Sequence, residues 1–210
     1  TDAAGNAGSK TLPDFVIDTT APTITSITSD LANGTYAVGQ VIDLDITFSE
    51  VVTLAGSDGL EITLTMDGDD RIVDLQPFSS SATATVNYTV QAGDTTSDLT
   101  NGTIALGSGA TLVDAGGTAM SSFTLTGNSL GTNKALVLDT TAPTITSITS
   151  DLANGSYKAG QVIDLDITFS EVVTLAGSDG LEITLTMDGD DRIVDLQPFS
   201  SSATATVNYT

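Results

Sequence analysis

The sequence predicts an all-β chain, built of immunoglobulin-like β-sandwich units in tandem and joined end to end by short linkers. Three observations predict it. Residues 18–89 recur at 139–210 without a gap, 121 residues later, and among the 72 pairs only Thr35/Ser156, Ala37/Lys158 and Val38/Ala159 differ. So close a copy is the mark of a tandem array. Apolar residues alternate with a period of two, the strand signal, and no stretch of helical length carries a 3.6-residue period. Seven or more short strands with turns between them, in about 120 residues, fit an immunoglobulin-type sandwich. The chain is expected to divide into 1–17, the C-terminal strand of a preceding repeat; 18–138, a complete repeat; and 139–210, a partial second one.

Taken in order, Asp2-Ala3-Ala4-Gly5-Asn6 reads as a turn and Thr11–Ile17 as a strand, with Pro13 marking an edge. Asp18-Thr19-Thr20-Ala21-Pro22 is a linker with no Gly/Ser spacer, and Pro22 restrains it. Thr23–Thr28 is the first strand, and the turn Asp30-Leu31-Ala32-Asn33-Gly34 follows. Val41–Phe48 is the clearest strand: Ile42, Leu44, Ile46 and Phe48 face the core, and Asp43 and Asp45 face solvent. Leu60–Met66 repeats the pattern and ends in the acidic turn Asp67-Gly68-Asp69-Asp70. Arg71–Leu75 comes next, with Arg71 expected to pair with Asp70. Ala84, Val86, Tyr88 and Val90 form the apolar face of a further strand, and Gln91–Leu99 is a polar loop. Thr103–Leu106 and Thr111–Val113 precede the turn Asp114-Ala115-Gly116-Gly117. Phe123 and Leu125 alternate in one more segment, and Lys134–Leu138 leads into the next linker.

A unit of 121 residues is large enough to bury its own core. Acidic residues number 27 against five basic ones, for a net charge of −22. That balance excludes nucleic acid and anionic membrane as partners and favours cations. With no Cys and no His, neither a disulfide framework nor a Ser–His or Cys–His nucleophile can be built. No apolar run approaches the roughly 18 residues of a membrane span.

Threading the strands up and down a sandwich gathers acids at its two ends. The end where the chain enters collects Asp18, Glu50, Asp114 and also Asp58. The far end collects Asp30, Asp67, Asp69, Asp70, Asp94 and Asp98. Asp139 and Glu171 are the second copies of Asp18 and Glu50. When units stack, the far end of one is expected to meet Asp139 and Glu171 of the next. Carboxylates without His or Cys point to Ca²⁺ rather than zinc or copper. Asp67-Gly68-Asp69-Asp70 has the look of an EF-hand start, but its Gly is misplaced and the closing Glu is missing. It reads equally as a solvated turn.

Several stretches together resemble the bacterial Ig-like repeats of giant RTX-type adhesins. They are Asp-Thr-Thr-Ala-Pro-Thr at 18–23 and 139–144, Phe48-Ser49-Glu50 with Phe169-Ser170-Glu171, Val90-Gln91-Ala92-Gly93-Asp94-Thr95-Thr96-Ser97-Asp98-Leu99, and Asp2-Ala3-Ala4-Gly5-Asn6. The resemblance implies extender domains: a stalk on the bacterial cell surface, with Ca²⁺ at the joints, exported by a type I system in a Gram-negative setting. Its partners would be neighbouring repeats and calcium ions. One departure is Asp114-Ala115-Gly116-Gly117 in place of Asp-Ala-Ala-Gly-Asn. A ligand role for a residue after Asp114 is therefore not implied. The expected function is non-enzymatic; the alternative is an adhesive module recognising a glycan or a host protein. Near-identical copies favour the stalk, which lengthens by duplication.

Overall fold

A computed structural model describes residues 3–5, 17–125 and 127–210, and apart from Ile17 the strand expected at 11–17 lies outside them. The chain divides into two compact units, 1–140 and 141–210.

The first unit holds β1 (Ile24–Thr28), β2 (Gly34–Tyr36), β3 (Val41–Ala55), β4 (Leu60–Thr65), β5 (Arg71–Leu75), β6 (Phe78–Thr89), β7 (Thr100–Leu106), β8 (Thr111–Asp114), a single helical turn α1 (Leu130–Asn133) and β9 (Leu136–Leu138). One sheet runs β1-β3-β6, with β8 also on β3; another runs β5-β4-β7; β2 and β9 form a small parallel pair. Inward residues of both larger sheets share one core, including Ile42, Leu44, Ile46 and Phe48 from β3 and Leu60, Ile62 and Leu64 from β4. The alternation read in the sequence is the physical cause: β-branched and leucine side chains at every second position make one face of each strand apolar. The result is a sandwich-like, nearly all-β unit.

The structure departs from the sequence reading in four places. The strand expected to end at Phe48 continues to Ala55, across Ser49 and Glu50. Its register on β6 shifts between Thr47 and Val52, a bulge that lets β3 leave β1 and take β8 as a neighbour. Val86 is only half-buried, whereas Tyr88 is fully buried. Phe123 and Leu125 belong to no strand; both pack against the core without joining a ladder. Arg71 pairs with Asp94, not Asp70, because the Asp70 carboxylate closes its own turn by accepting the Met66 N–H at 3.0 Å.

The second unit repeats the local structure with β10 (Ile145–Thr149), β11 (Ile163–Leu175), β12 (Leu181–Leu185), β13 (Arg192–Leu196) and β14 (Phe199–Tyr209). Its sheets are β10-β11-β14 and β12-β13. Leu165 and Ile167 are buried, but the other expected core copies, Ile163, Phe169, Ile183, Leu185, Val207 and Tyr209, are only half-buried. Nothing in residues 139–210 corresponds to 90–138, which supply the rest of the core in the first unit.

Candidate metal centre

Three segments of the first unit meet at the end where the linker enters. Ser49 ties the linker to β3: its N–H donates to the Thr23 carbonyl at 2.8 Å, and its Oγ accepts the Thr23 N–H at 3.0 Å. Pro22 is buried beside this tie. The second unit builds the same tie, Ser170 with Thr144 at 2.8 and 2.9 Å. Asp18 sits at the start of the linker, its Oδ1 accepting the Thr20 N–H at 2.9 Å in an Asx turn. Glu50 follows Ser49 at the bulge. Asp114 ends β8, paired with Val52 just beyond.

The turn after Asp114 is shaped by its glycines. Gly117 takes φ +87°, a conformation that L side chains rarely adopt. A Cβ on Gly116 would come within 3.3 Å of Asp114 Oδ1. That oxygen accepts the Thr118 N–H at 2.7 Å, and the Asp114 N–H donates to the Thr118 carbonyl at 3.0 Å. One carboxylate oxygen from each of Asp18, Glu50 and Asp114 lies within 4.8 Å of the other two.

Asp114 is only 5% exposed, and its Oδ2 is buried with no hydrogen-bond partner. Burial raises its pKa, but hydrogen bonds from Thr118 and from the N–H groups of Gly116 and Gly117 outweigh that and hold it below the usual carboxylate range. The group is therefore charged at neutral pH with one oxygen unsatisfied, a costly state. Glu50 goes the other way: burial, then the charges of Asp18 and Asp114, push its pKa up. Among the described residues no Lys or Arg forms a salt bridge with any of the three. A cation would relieve both strains. Oxygens on opposite sides of a Ca²⁺ ion, at 2.3–2.6 Å from it, stand about 5 Å apart. The cluster has that size, and its all-carboxylate chemistry suits a hard ion.

The other sequence candidates stand elsewhere. Asp94 is buried and fully engaged inside the unit. Arg71 Nε and Nη2 both donate to its Oδ1 at 2.8 Å, and Tyr88 Oη and the Gln91 N–H donate to its Oδ2. That leaves no oxygen for a metal. Burial pushes the Asp94 pKa up, but the Tyr88, Gln91 and Arg71 hydrogen bonds prevail and hold it below the usual range. Burial, then the bond to Asp94, pushes Tyr88 up to about 12. Asp98, Asp67 and Asp69 are exposed and join no group of three acids among the described residues. Glu171 is half-buried, and the Asp139 N–H donates to the Tyr36 carbonyl at 3.1 Å. Neither belongs to a described group of three.

Asp30 does belong to a group, with Asp43 and Asp45, and the second unit repeats it as Asp151, Asp164 and Asp166. Here two of the three carboxylates have partners. Asp43 accepts the Ser29 hydroxyl at 3.0 Å and the Asp30 N–H at 2.7 Å, and Asp45 accepts the Thr85 hydroxyl at 2.6 Å. Asp164 and Asp166 repeat these bonds with Ser150, Asp151 and Thr206. Sequence reasoning gave Asp43 and Asp45 to solvent and missed that Asp43 fastens the turn after β1. The signal available was Ser29-Asp30, a polar pair at a strand end with a carboxylate facing it across the ladder.

No family model and no curated protein matches the chain. Among the described residues no helix is long and apolar enough to cross a membrane.

Proposed function

We propose that the chain is a run of extender repeats from the stalk of a large bacterial cell-surface adhesin, non-enzymatic and outside the cell, with each immunoglobulin-like unit clamped to its linker by Ca²⁺. The carrying observation is the pairing of near-identical tandem copies with the Asp18–Glu50–Asp114 cluster. Duplication without divergence suits a part selected for length, and the buried orphan oxygen of Asp114 suits a cation. In this reading the ion ties the linker residue Asp18 to the unit that the linker enters. Six to eight oxygens complete a Ca²⁺ shell, so backbone carbonyls and water supply the rest. Without the ion the three acids repel one another and the linker swings on its Ser49 tie alone.

Small-angle scattering on a protein of several complete repeats tests the stalk. The maximum dimension is expected to shrink in chelator, and to shrink equally in Ca²⁺ when every unit carries Asp18→Asn with Glu50→Gln. A dimension unchanged by chelator and by the double variant would overturn the calcium clamp and leave Pro22 and packing as the source of stiffness.

A further inference from the structure

A sheet ends in edges, and a bare edge is a template for another strand. In the first unit the edges of β1 and β8 are covered from within. The Asn128 carbonyl accepts the Ile27 N–H at 3.0 Å, and the Asn133 amide donates to the Ile27 carbonyl at 2.8 Å, which closes β1. The Met120 N–H donates to the Leu112 carbonyl at 2.9 Å and closes β8. Phe123 and Leu125 lie along β7, sharing a groove with Gly102 and Ile104. β6 is different. Among the described residues it pairs with β3 alone, and its twelve residues include no charge, no Pro and no Gly. Its neighbour β5 has five residues and carries Arg71 and Asp74.

The ladder fixes which backbone groups are bare. The Val90 N–H donates to the Gln40 carbonyl, and the Val90 carbonyl accepts the Gly39 N–H, both at 2.9 Å. Antiparallel pairing alternates, so Ala84, Val86 and Tyr88 also turn their backbone to β3, while Thr83, Thr85, Asn87 and Thr89 turn theirs away. Both ends of that outward row are stopped. Ser81 Oγ donates to the Thr83 carbonyl at 2.6 Å and accepts the Thr83 N–H at 3.2 Å. The Gln91 N–H donates to Asp94 Oδ2 at 2.7 Å. Between these stops Thr85, Asn87 and Thr89 are exposed, and each presents one N–H and one C=O at the edge. Val86, on the core side of the same stretch, is only half-buried.

We propose that β6 is a lateral docking edge for a second copy of this chain, paired antiparallel about a two-fold axis at Asn87. Thr85 then meets Thr89 of the second copy, Asn87 meets Asn87, and Thr89 meets Thr85. Each of these pairs exchanges two backbone hydrogen bonds, and hydroxyl faces hydroxyl and amide faces amide. Val86 comes opposite Tyr88 of the second copy, a β-branched and aromatic pair. The occupant is a copy because the bare stretch is its own complement, as an isologous contact requires. Charge points the same way. Each copy carries −22, and no charged residue lies between Asp74 and Asp94, so two copies meet here without like charges set strand to strand. In the stalk reading the contact recurs with every repeat and joins stalks side by side, each weak pairing adding to the next.

The chain has no Cys, so one introduced thiol reports the register. Asn87→Cys sets two Cα atoms about 5.5 Å apart across the axis, within the roughly 4.4–6.8 Å that a disulfide spans. It is oxidised in chelator, which keeps the test apart from the calcium clamp, beside Ser108→Cys at an exposed site between β7 and β8. A disulfide-linked dimer is expected to form several-fold faster from Asn87→Cys; equal rates would overturn the register and with it the proposal. Sedimentation at up to about 1 mM measures the dimer without a cross-link. β14 carries the sequence of β6, so the substitutions used there are made in both strands. Thr85→Pro with Thr206→Pro removes an outward N–H and spares the β3 ladder, and is expected to weaken dimerisation about tenfold with the fold kept. Asn87→Lys with Asn208→Lys puts a lysine on the edge and does the same should the proline variant not fold. Raising salt from about 0.15 M to about 1 M shortens the screening length from about 8 Å to about 3 Å and is expected to strengthen the dimer, since the copies repel one another. A chain that stays monomeric at both salt concentrations, a dimer that salt dissolves, or one that the folded edge variants leave intact would overturn the proposal.

Discussion

Asp94 and Asp114 are two buried aspartates of one unit with opposite accounts. Every oxygen of Asp94 is satisfied from within, by Arg71, Tyr88 and Gln91. Asp114 keeps Oδ2 unpaired. Asp94→Ala is therefore expected to destabilise the first unit by about 3 kcal/mol, because it leaves a half-buried guanidinium and a buried hydroxyl without their partner; chemical denaturation measures this. The Asp94 pKa lies below its unfolded value of about 3.9. Its contribution is then present above that pH and is lost as pH falls through the folded pKa. An acid titration should show the first unit weakening below about pH 4, with a shallower slope in the Asp94→Asn variant. Asp114→Asn predicts the reverse pattern. Asn still accepts the Thr118 N–H through its oxygen, and one charge of the cluster is gone. Its melting temperature in chelator should equal or exceed that of the wild type, while the gain on adding Ca²⁺ is lost. A wild-type-sized gain in the variant would remove Asp114 from the site.

Among the elements, β3 shows what the sequence made legible and what it hid. The alternation of Ile42, Leu44, Ile46 and Phe48 marked the core face. Val52 and Leu54 continue the same parity, so the extension through Ser49-Glu50 was written there, masked by two polar residues that mimic a loop. Those two do the local work: Ser49 holds the linker and Glu50 meets Asp18 and Asp114. The gathering of Asp18, Glu50 and Asp114 at one end followed from counting strand directions. Asp94 could not be assigned that way. Its partner Arg71 is 23 residues distant, and only the packed unit brings the two together. β2 and α1 are too short to leave a periodic signal. Gly59 is the sharpest local constraint: at φ +65°, a Cβ there would lie 2.2 Å from the Leu75 carbonyl oxygen, and Gly180 repeats this against Leu196. Gly59→Ala should cost the first unit about 2 kcal/mol or more, read as a lowered denaturant midpoint. Gly180→Ala should leave that midpoint unchanged.

For the molecule as a whole, residues 18–89 and their copy 139–210 put nearly one sequence in two surroundings, which makes an internal control. The first unit has its full core and the three-acid cluster. The second has Asp139 and Glu171 but no counterpart of Asp114, and much of its apolar face is open. Apolar burial drives folding at roughly 25 cal/mol per Å², so the two units should melt separately, the second first. If Ca²⁺ fills the proposed Asp18–Glu50–Asp114 site, it should separate them further. A site with a dissociation constant of about 10⁻⁴ M, in 10 mM Ca²⁺, is about 100-fold saturated and stabilises by about 2.7 kcal/mol. For a unit of this size that corresponds to about 10 °C. Calorimetry should show the upper transition rising by about that amount between chelator and 10 mM Ca²⁺, with the lower one nearly fixed. If Ca²⁺ moved both transitions equally, binding would belong to what the units share, such as the Asp30–Asp43–Asp45 group and its copy, and not to Asp114.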